Sequence, residues 1–407
     1  MNMVRLRHLA QVNPPTRAFD RLSDEDELTF LPMESIWPGS RLDTTKRRSK
    51  ASVAVGYTRF QDGDVLVPKI TPTFEAGRAV LINGLHGGVG AGTTELHVLR
   101  PGPRIDARYL LHVVSTRVFL KFGEAEMYGV AGQQRVPDSF LRDLLVDLPS
   151  VDEQRRIANF LDFEIEKFEN LAAKKRRLIS LMDERVDGEI LQHVGSSVLV
   201  DGPEGSPVLP IRRLLVKVSR PPMSNVGVIT AYRDGQVTER GLRRAEGYTL
   251  SASAEPQGQN VQVGDVVVHG LDGFAGAIGV SEAVGNCSPV YHVCTPVGGG
   301  DPGFFGRLLR ILALQGYLGN FATSTRERAV DFRNWDLFGR IPIPVVSVEE
   351  QHRIGKSIAK LRPLREVIAR SALLAAERRQ ALITAAVTGQ FDVSTASGRN
   401  VTEGISA

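Results

Sequence analysis

Residues 148–191 read LPSVDEQRRIANFLDFEIEKFENLAAKKRRLISLMDERVDGEIL. Apolar side chains at Ile157, Leu161, Ile165, Phe168, Leu171, Leu178, Met182 and Val186 recur mostly three or four positions apart, which places them on one stripe of a helix. Ser150 followed by Glu153 is a capping box, in which each side chain is expected to satisfy a backbone N–H that the helix start leaves orphaned. The same device returns half a chain later. Ile343-Pro344 parallels Leu148-Pro149, Ser347 with Glu350 repeats the box, and Glu350-Gln351-His352-Arg353-Ile354 matches Glu153-Gln154-Arg155-Arg156-Ile157. Behind it runs a second stripe of Ile358, Leu361, Leu364, Ile368, Ala372, Ala375, Leu382 and Ala386. The chain is therefore an internal repeat.

Each long helix closes a globular unit whose motifs also recur. In the first unit a weakly alternating Val4–Leu9 is followed by Pro14-Pro15, by Gly63-Asp64-Val65-Leu66-Val67 as a turn feeding a buried strand, and by strands at 80–82 and 96–99. Residues 109–122 have helical periodicity, and Gly84–Gly92 is rich enough in glycine for a mobile loop or a series of tight turns. In the second unit Ile211–Leu214 stands for the opening strand, Pro221-Pro222 for Pro14-Pro15, and Gly264–Val268 for Gly63–Val67. Residues 291–294 stand for 96–99, and 304–321 for the helix at 109–122. The expected order is a unit at 1–149, a helix at 150–195, a linker at 196–207, a unit at 208–345, a helix at 346–391 and a small, polar tail at 392–407. Gly389 suits a helix C-cap.

At 407 residues, 42% apolar and 24% charged, the chain has a soluble protein's composition and room for two to four domains. It holds no apolar run of the ~18 to 20 residues that a membrane helix needs, and the start MNMVRLRHLAQVNPP has no signal-peptide core, so a cytoplasmic protein is expected. The net charge of +4 is unevenly spread. Between Arg212 and Arg244 eight Lys or Arg face two acids, and between Arg41 and Lys69 seven face three, giving one basic cluster per unit, as a polyanion contacted twice would require.

Catalytic signals fail on inspection. Asn13-Pro14-Pro15-Thr16 resembles the Asn/Asp-Pro-Pro-aromatic loop of amino-methyltransferases, but Thr16 stands where the aromatic would stack on a flipped base, and no methyl-donor glycine motif precedes it. Gly355-Lys356-Ser357 has Glu350 where a phosphate-binding loop needs glycine, and it lies within a helix. Gly84–Gly92 contains no lysine. Cys287 and Cys294, with His86, His97, His269 and His292, do not make a zinc ligand set. No cofactor or metal is expected.

Two basic α+β units, two helices opening on the L/I-P-x-x-x-E-Q-x-R-I pattern, and the closing Ala386-Val387-Thr388-Gly389 resemble the specificity subunit of type I restriction-modification enzymes over residues 1 to about 393. The resemblance implies an α+β chain of two pseudo-symmetric target recognition domains, with the two long helices paired as an antiparallel coiled coil. It implies a non-catalytic subunit of a restriction enzyme and adenine methyltransferase complex. Its domains would each read half of a bipartite, asymmetric site in double-stranded DNA, and its helices would dock modification and restriction subunits. Docking would fall to Glu153, Gln154, Ile157, Leu161, Ile165 and Phe168, and to Glu350, Gln351, Ile354, Ile358 and Leu361.

DNA contacts are expected from Lys46, Arg47, Arg48, Lys50, Arg59 and Lys69 with the loop Gln133-Gln134-Arg135 in the first unit. In the second they are expected from Arg220, Arg233, Arg240, Arg243 and Arg244 with Thr323, Ser324, Arg326 and Arg328. Pro363 would kink or interrupt the second helix, because it lacks an N–H and its ring meets the preceding turn. A helix over Val151–Leu191 would be ~60 Å long at ~1.5 Å per residue, enough to set two reading heads about one turn of DNA apart. A fused catalytic enzyme would need a methyl-donor site or a nuclease carboxylate cluster, and no unassigned stretch is large enough for either. A coiled-coil adaptor that never touches DNA would not need two basic clusters.

Overall fold

The turn Gln61-Asp62-Gly63-Asp64-Val65 recurs as Gln262-Val263-Gly264-Asp265-Val266, and both copies are built alike in the computed structural model. The structure describes residues 3–37, 41–130, 132–194, 208–243, 258–321, 331–390 and 392–393. Gly63 and Gly264 have φ of 88° and 93°, in the left-handed region that glycine enters without strain. The buried Asp64 and Asp265 carboxylates accept from the Gln61 and Gln262 N–H groups at 2.9 and 2.7 Å. Each turn feeds a buried strand, Val65–Pro68 throughout and Val266–His269 up to its last residue.

The chain divides into two compact units, Met1–Ala173 with Arg370–Ala407, and Lys174–Ala369. In the first, a four-stranded antiparallel sheet has the order 10–12, 96–101, 65–68, 80–81. In the second, the order 215–217, 291–296, 266–269, 278–280 has the same succession and the same antiparallel pairings. A two-stranded ribbon precedes the long helix each time, Met3–Arg5 with Leu145–Asp147 and Val208–Pro210 with Pro342–Pro344. The units thus share a frame. They differ in what is inserted: the first carries a second four-stranded sheet, in which Glu27–Leu31 runs parallel to Val89–Gly92. The second carries two separate two-stranded ribbons, 229–231 with 237–239 and 259–261 with 285–287.

Three local expectations are corrected. Ile211–Leu214 forms a helical turn between two short strands rather than one opening strand, just as Leu6–His8 separates the first unit's strands at 3–5 and 10–12. Gly84–Gly92 is not a loop throughout, since 89–92 is a central strand. A Cβ on Gly90 would lie 2.3 Å from the Phe60 ring and one on Gly92 2.4 Å from the Leu31 carbonyl oxygen, so glycine serves close approach there. The predicted helix at 109–122 is two helices, 107–113 and 117–125, because Thr116 starts the second by accepting from Phe119 N–H at 3.2 Å.

The long helices run over Val151–Val194 and Val348–Val387, and the second continues through Pro363. In the first unit Ile157, Leu161 and Ile165 share a core with Tyr109, Phe119, Leu382, Ile383 and Ala386. In the second, Val186, Ile190 and Val194 share one with Phe304, Leu308, Ile354 and Leu361. There the helices are antiparallel: Asp183 meets Arg365, Glu189 meets Arg353, and His193 Nε2 lies 2.6 Å from Glu350. Gly389, at φ 66°, follows the last turn in the left-handed conformation of a C-cap. The expected linker 196–207 and nearly all of the tail lie outside the described residues.

Candidate nucleic-acid interface

Charge density alone nominated the basic residues, and their partners now sort them. Arg220 holds Asp265 through two hydrogen bonds of 2.5 and 3.0 Å, Arg243 holds Asp234 at 2.6 and 3.0 Å, and Arg135 holds Glu95 at 2.8 and 2.9 Å. Bidentate pairs of this kind fix local structure. Arg135 accordingly holds the Glu95 carboxyl below its usual range. Arg243 also covers the Tyr232 ring at 4.0 Å. Lys50 is mostly buried and donates to the Leu22 carbonyl at 2.6 Å, with Asp24 at 3.3 Å. Arg59 lies over Phe19 at 4.1 Å, donates to the Ala54 carbonyl at 2.6 Å and reaches Asp20 at 3.4 Å.

Looser attachments keep other cations at the surface. Lys46 reaches Glu34 at 3.2 Å and Arg233 reaches Asp272 at 2.9 Å, both as exposed pairs of the sort worth ~0–1 kcal/mol. Arg48 stacks on Phe30 at 4.1 Å and donates to the Tyr57 hydroxyl at 3.3 Å. The Arg240 side chain donates to Thr230 Oγ1 at 3.2 Å. Arg47 is exposed, and Lys69 is half-buried with its charge felt by the Glu95 carboxylate. Arg244, Thr323, Ser324, Arg326 and Arg328 lie outside the described residues.

Lys69 lines a cleft of about 320 Å³ walled by Asn13-Pro14-Pro15-Thr16, Asp20, Tyr57-Thr58-Arg59, Leu96 and Val98. Its floor is rigid. Asn13 accepts from Val98 N–H at 2.9 Å through Oδ1, and its amide nitrogen lies 3.2 Å from His97 Nδ1. His97 Nε2 is 2.9 Å from the Val136 carbonyl oxygen, and His292 Nε2 is 2.5 Å from that of Phe332 in the second unit. Burial pushes both imidazoles below the ordinary histidine pKa. These histidines latch a loop to a central strand at matching places in the two copies. Arg100 adds another tie by spanning Asp64 at 2.8 and 2.9 Å and the Pro15 carbonyl at 2.9 Å.

Among the residues expected to dock another chain, the two glutamines are buried within their own units. Gln154 is fully buried: its Oε1 accepts from Asp106 N–H at 2.8 Å, and its Nε2 donates to the Arg104 and Pro149 carbonyls at 3.0 Å each. Gln351 repeats this, accepting from Asp301 N–H at 3.2 Å and donating to the Val346 carbonyl at 2.7 Å. Asp106 and Asp301 in turn cap the helices at 107–113 and 302–314. Ile157, Leu161, Ile165, Ile354 and Leu361 are buried in their own cores, with Phe168 and Ile358 packed against them. Half of each capping box forms, since the N–H groups of Glu153 and Glu350 donate to Ser150 and Ser347 Oγ at 3.2 and 3.3 Å. The two carboxylates turn to Arg156 and Arg353, three residues on. The exposed apolar side chains of the long helices are others, among them Phe163, Leu171, Val367 and Leu373.

Among the described residues no group of three His, Cys, Asp or Glu could hold a metal ion, and no helix is long and apolar enough to cross a membrane. Burial pushes the Cys287 and Cys294 thiols up to about 12.

No family model matches the chain. It is 41% identical over 158 residues to the specificity subunit of the type I restriction enzyme EcoEI of Escherichia coli, a match covering 38% of this chain and 26% of that one. It is 42% identical over 156 residues to the specificity subunit of EcoAI of the same organism, covering 37% and 26%. The matched stretch thus spans about a quarter of these relatives' length. A solved structure described as the basis of complex assembly and conformational transition of the type I R-M system aligns over 96% of this chain and 98% of its own, with a TM-score of 0.59 at 14% identity, a likeness of fold.

Proposed function

We propose that this chain, a member of the specificity-subunit family of type I restriction-modification systems, is the DNA-reading subunit of such a complex and performs no chemistry itself. Each unit reads one half of a bipartite site in double-stranded DNA. One observation carries the reading: the two units share strand order, Asp turn, His latch and Gln latch, yet differ in the sheets inserted between them. A constant frame with two different inserts suits two unlike half-sequences held in one chain.

Surface cations such as Arg47, Lys69 and Arg240 supply phosphate contacts, which position the duplex without reading its sequence. Modification subunits dock on the outer faces of the long helices, where Phe163 and Leu373 are 58% and 62% exposed. Co-expression with modification subunits in a host without its own adenine methylation, followed by methylome sequencing, tests the function. A methylated, two-part asymmetric motif is the expected result. An assembled, methylating complex with no such motif would refute it.

A further inference from the structure

We propose that the hairpin arms Tyr128–Val130 and Gly132–Arg135 form the base-reading element of the first unit, and that the adjoining cleft holds the DNA backbone through Lys69. This rests on the DNA-reading function and says where on the unit that reading occurs.

The hairpin is firmly based and open at its end. Tyr128 and Arg135 exchange backbone hydrogen bonds of 3.1 and 2.9 Å, and Gln133 N–H closes the tip onto the Val130 carbonyl at 2.9 Å. Gly132, at φ 83°, accommodates the turn. The base is tied down three times: Arg135 grips Glu95, Thr71 N–H donates to the Gln134 carbonyl at 3.0 Å, and Gln134 N–H donates to Thr71 Oγ1 at 3.2 Å. Beyond that base the polypeptide buries little, with Tyr128 61% and Val130 80% exposed. An aromatic ring and an aliphatic side chain held in water on a rigid projection are poorly explained by folding and well explained by a surface they enter.

Chemistry selects the occupant. The Gln133 side chain is exposed, with no hydrogen bond to a described residue, and a free carboxamide is the group that pairs with adenine N6 and N7 in a major groove. Lys69 stands beside the hairpin in the chain's hydrogen-bond pattern, since its carbonyl accepts from Val136 N–H at 2.8 Å. Lys69 lines the cleft together with Arg59. A cation at the foot of a projecting amide matches a duplex, whose phosphates border the groove that exposes the bases. An acidic protein partner would need the cation but not the amide.

The test uses the full chain assembled with its modification subunits, assayed for binding and methylation on duplexes randomised across the site. Q133A should lower discrimination at one base pair of one half-site by roughly 5- to 150-fold and leave the other half-site unchanged. K69A should weaken binding to all sequences alike and reduce the log–log salt slope by about 0.9, the loss of one phosphate contact. Gln133 is exposed and Lys69 half-buried, and unchanged melting temperatures identify folded variants. If both variants keep wild-type specificity and salt slope while the wild type binds its site, the hairpin and cleft do not face DNA and the proposal is overturned. If the wild-type assembly shows no sequence-specific binding, the DNA-reading function itself fails.

Discussion

Replacing Gln154 by alanine separates two readings of the Glu-Gln-x-Arg-Ile pattern, because a latch and a docking contact lose different things. The side chain makes three hydrogen bonds to backbone groups of its own unit, at 2.8, 3.0 and 3.0 Å, and is fully buried. Truncation orphans the Asp106 N–H and loosens two carbonyls, each unsatisfied buried group costing ~1–3 kcal/mol. Arg104 is exposed and Pro149 half-buried, so water replaces part of what their carbonyls lose, and the total comes to about 2–4 kcal/mol. For a domain of ~150–250 residues each kcal/mol moves the melting temperature by ~2–4 °C, so Q154A should melt about 4–16 °C lower in its first unit. Scanning calorimetry or a tryptophan-independent melt by circular dichroism reads this directly. Glu153→Ala is the control. Glu153 is part-exposed and its carboxylate meets Arg156 on the surface, so the change should cost less than ~1 kcal/mol. A Q154A chain that melts within ~2 °C of wild type but no longer binds modification subunits would refute the latch and restore Gln154 as a contact residue.

Three further outcomes follow from the same geometry. Arg240→Ala should reduce the log–log salt slope of DNA binding by about 0.9 without changing melting, whereas Arg220→Ala, which strands the buried Asp265, should lower melting and leave the slope of the surviving protein alone; equal slopes for Arg240→Ala and wild type would remove Arg240 from the interface. Acidification should destabilise the chain through His97 and His292, whose folded pKa values lie below the ordinary one. The unfolded chain then binds more protons, so stability is full above ~6.5 and falls as pH drops through that value toward the folded pKa. Melting curves of wild type and His97→Gln between pH 8 and 5 should converge, and parallel curves would contradict this. Gly90→Ala forces a Cβ to within 2.3 Å of the buried Phe60 ring and should cost ~1–3 kcal/mol, read as a shifted urea midpoint.

The long helices were legible because periodicity over eleven turns outweighs local noise, and the repeat because its motifs recur at nearly constant offsets. Several short strands were not. Ala10–Val12, Glu27–Leu31 and Gln259–Val261 are three to five residues long, and the last two, buried on both faces over most of their length, do not alternate. For the basic residues, sequence gives charge density, while bonding to Asp234, Asp265 or Glu95 is decided by residues nine to forty-five positions away. The glutamine latches carry a signal in the sequence itself. Gln154 stands three before Ile157 and seven before Leu161, and Gln351 three before Ile354 and seven before Ile358, so both lie on the apolar stripe itself. A carboxamide on the buried face of a helix must find partners inside the protein.

That the latches are polar bears on how one frame carries two different inserts. An aliphatic residue at Gln154 or His97 would contribute as much burial but would tolerate neighbouring slips, because apolar contact has no direction. A carboxamide that accepts from one N–H and donates to two carbonyls, or an imidazole poised between Asn13 and the Val136 carbonyl, is satisfied in one geometry only. Buried polar groups penalise every other arrangement by the cost of the bonds left unmade. Positional demands are therefore met inside the frame, at Asp64 and Asp265, His97 and His292, Gln154 and Gln351. The inserted ribbons of the second unit are held by bonds of their own, Gln259 Nε2 to the Tyr291 carbonyl at 2.8 Å and Asn260 Nδ2 to the Gly285 carbonyl at 3.0 Å, so under the proposed function the inserts can differ between the units while the shared latches stay the same.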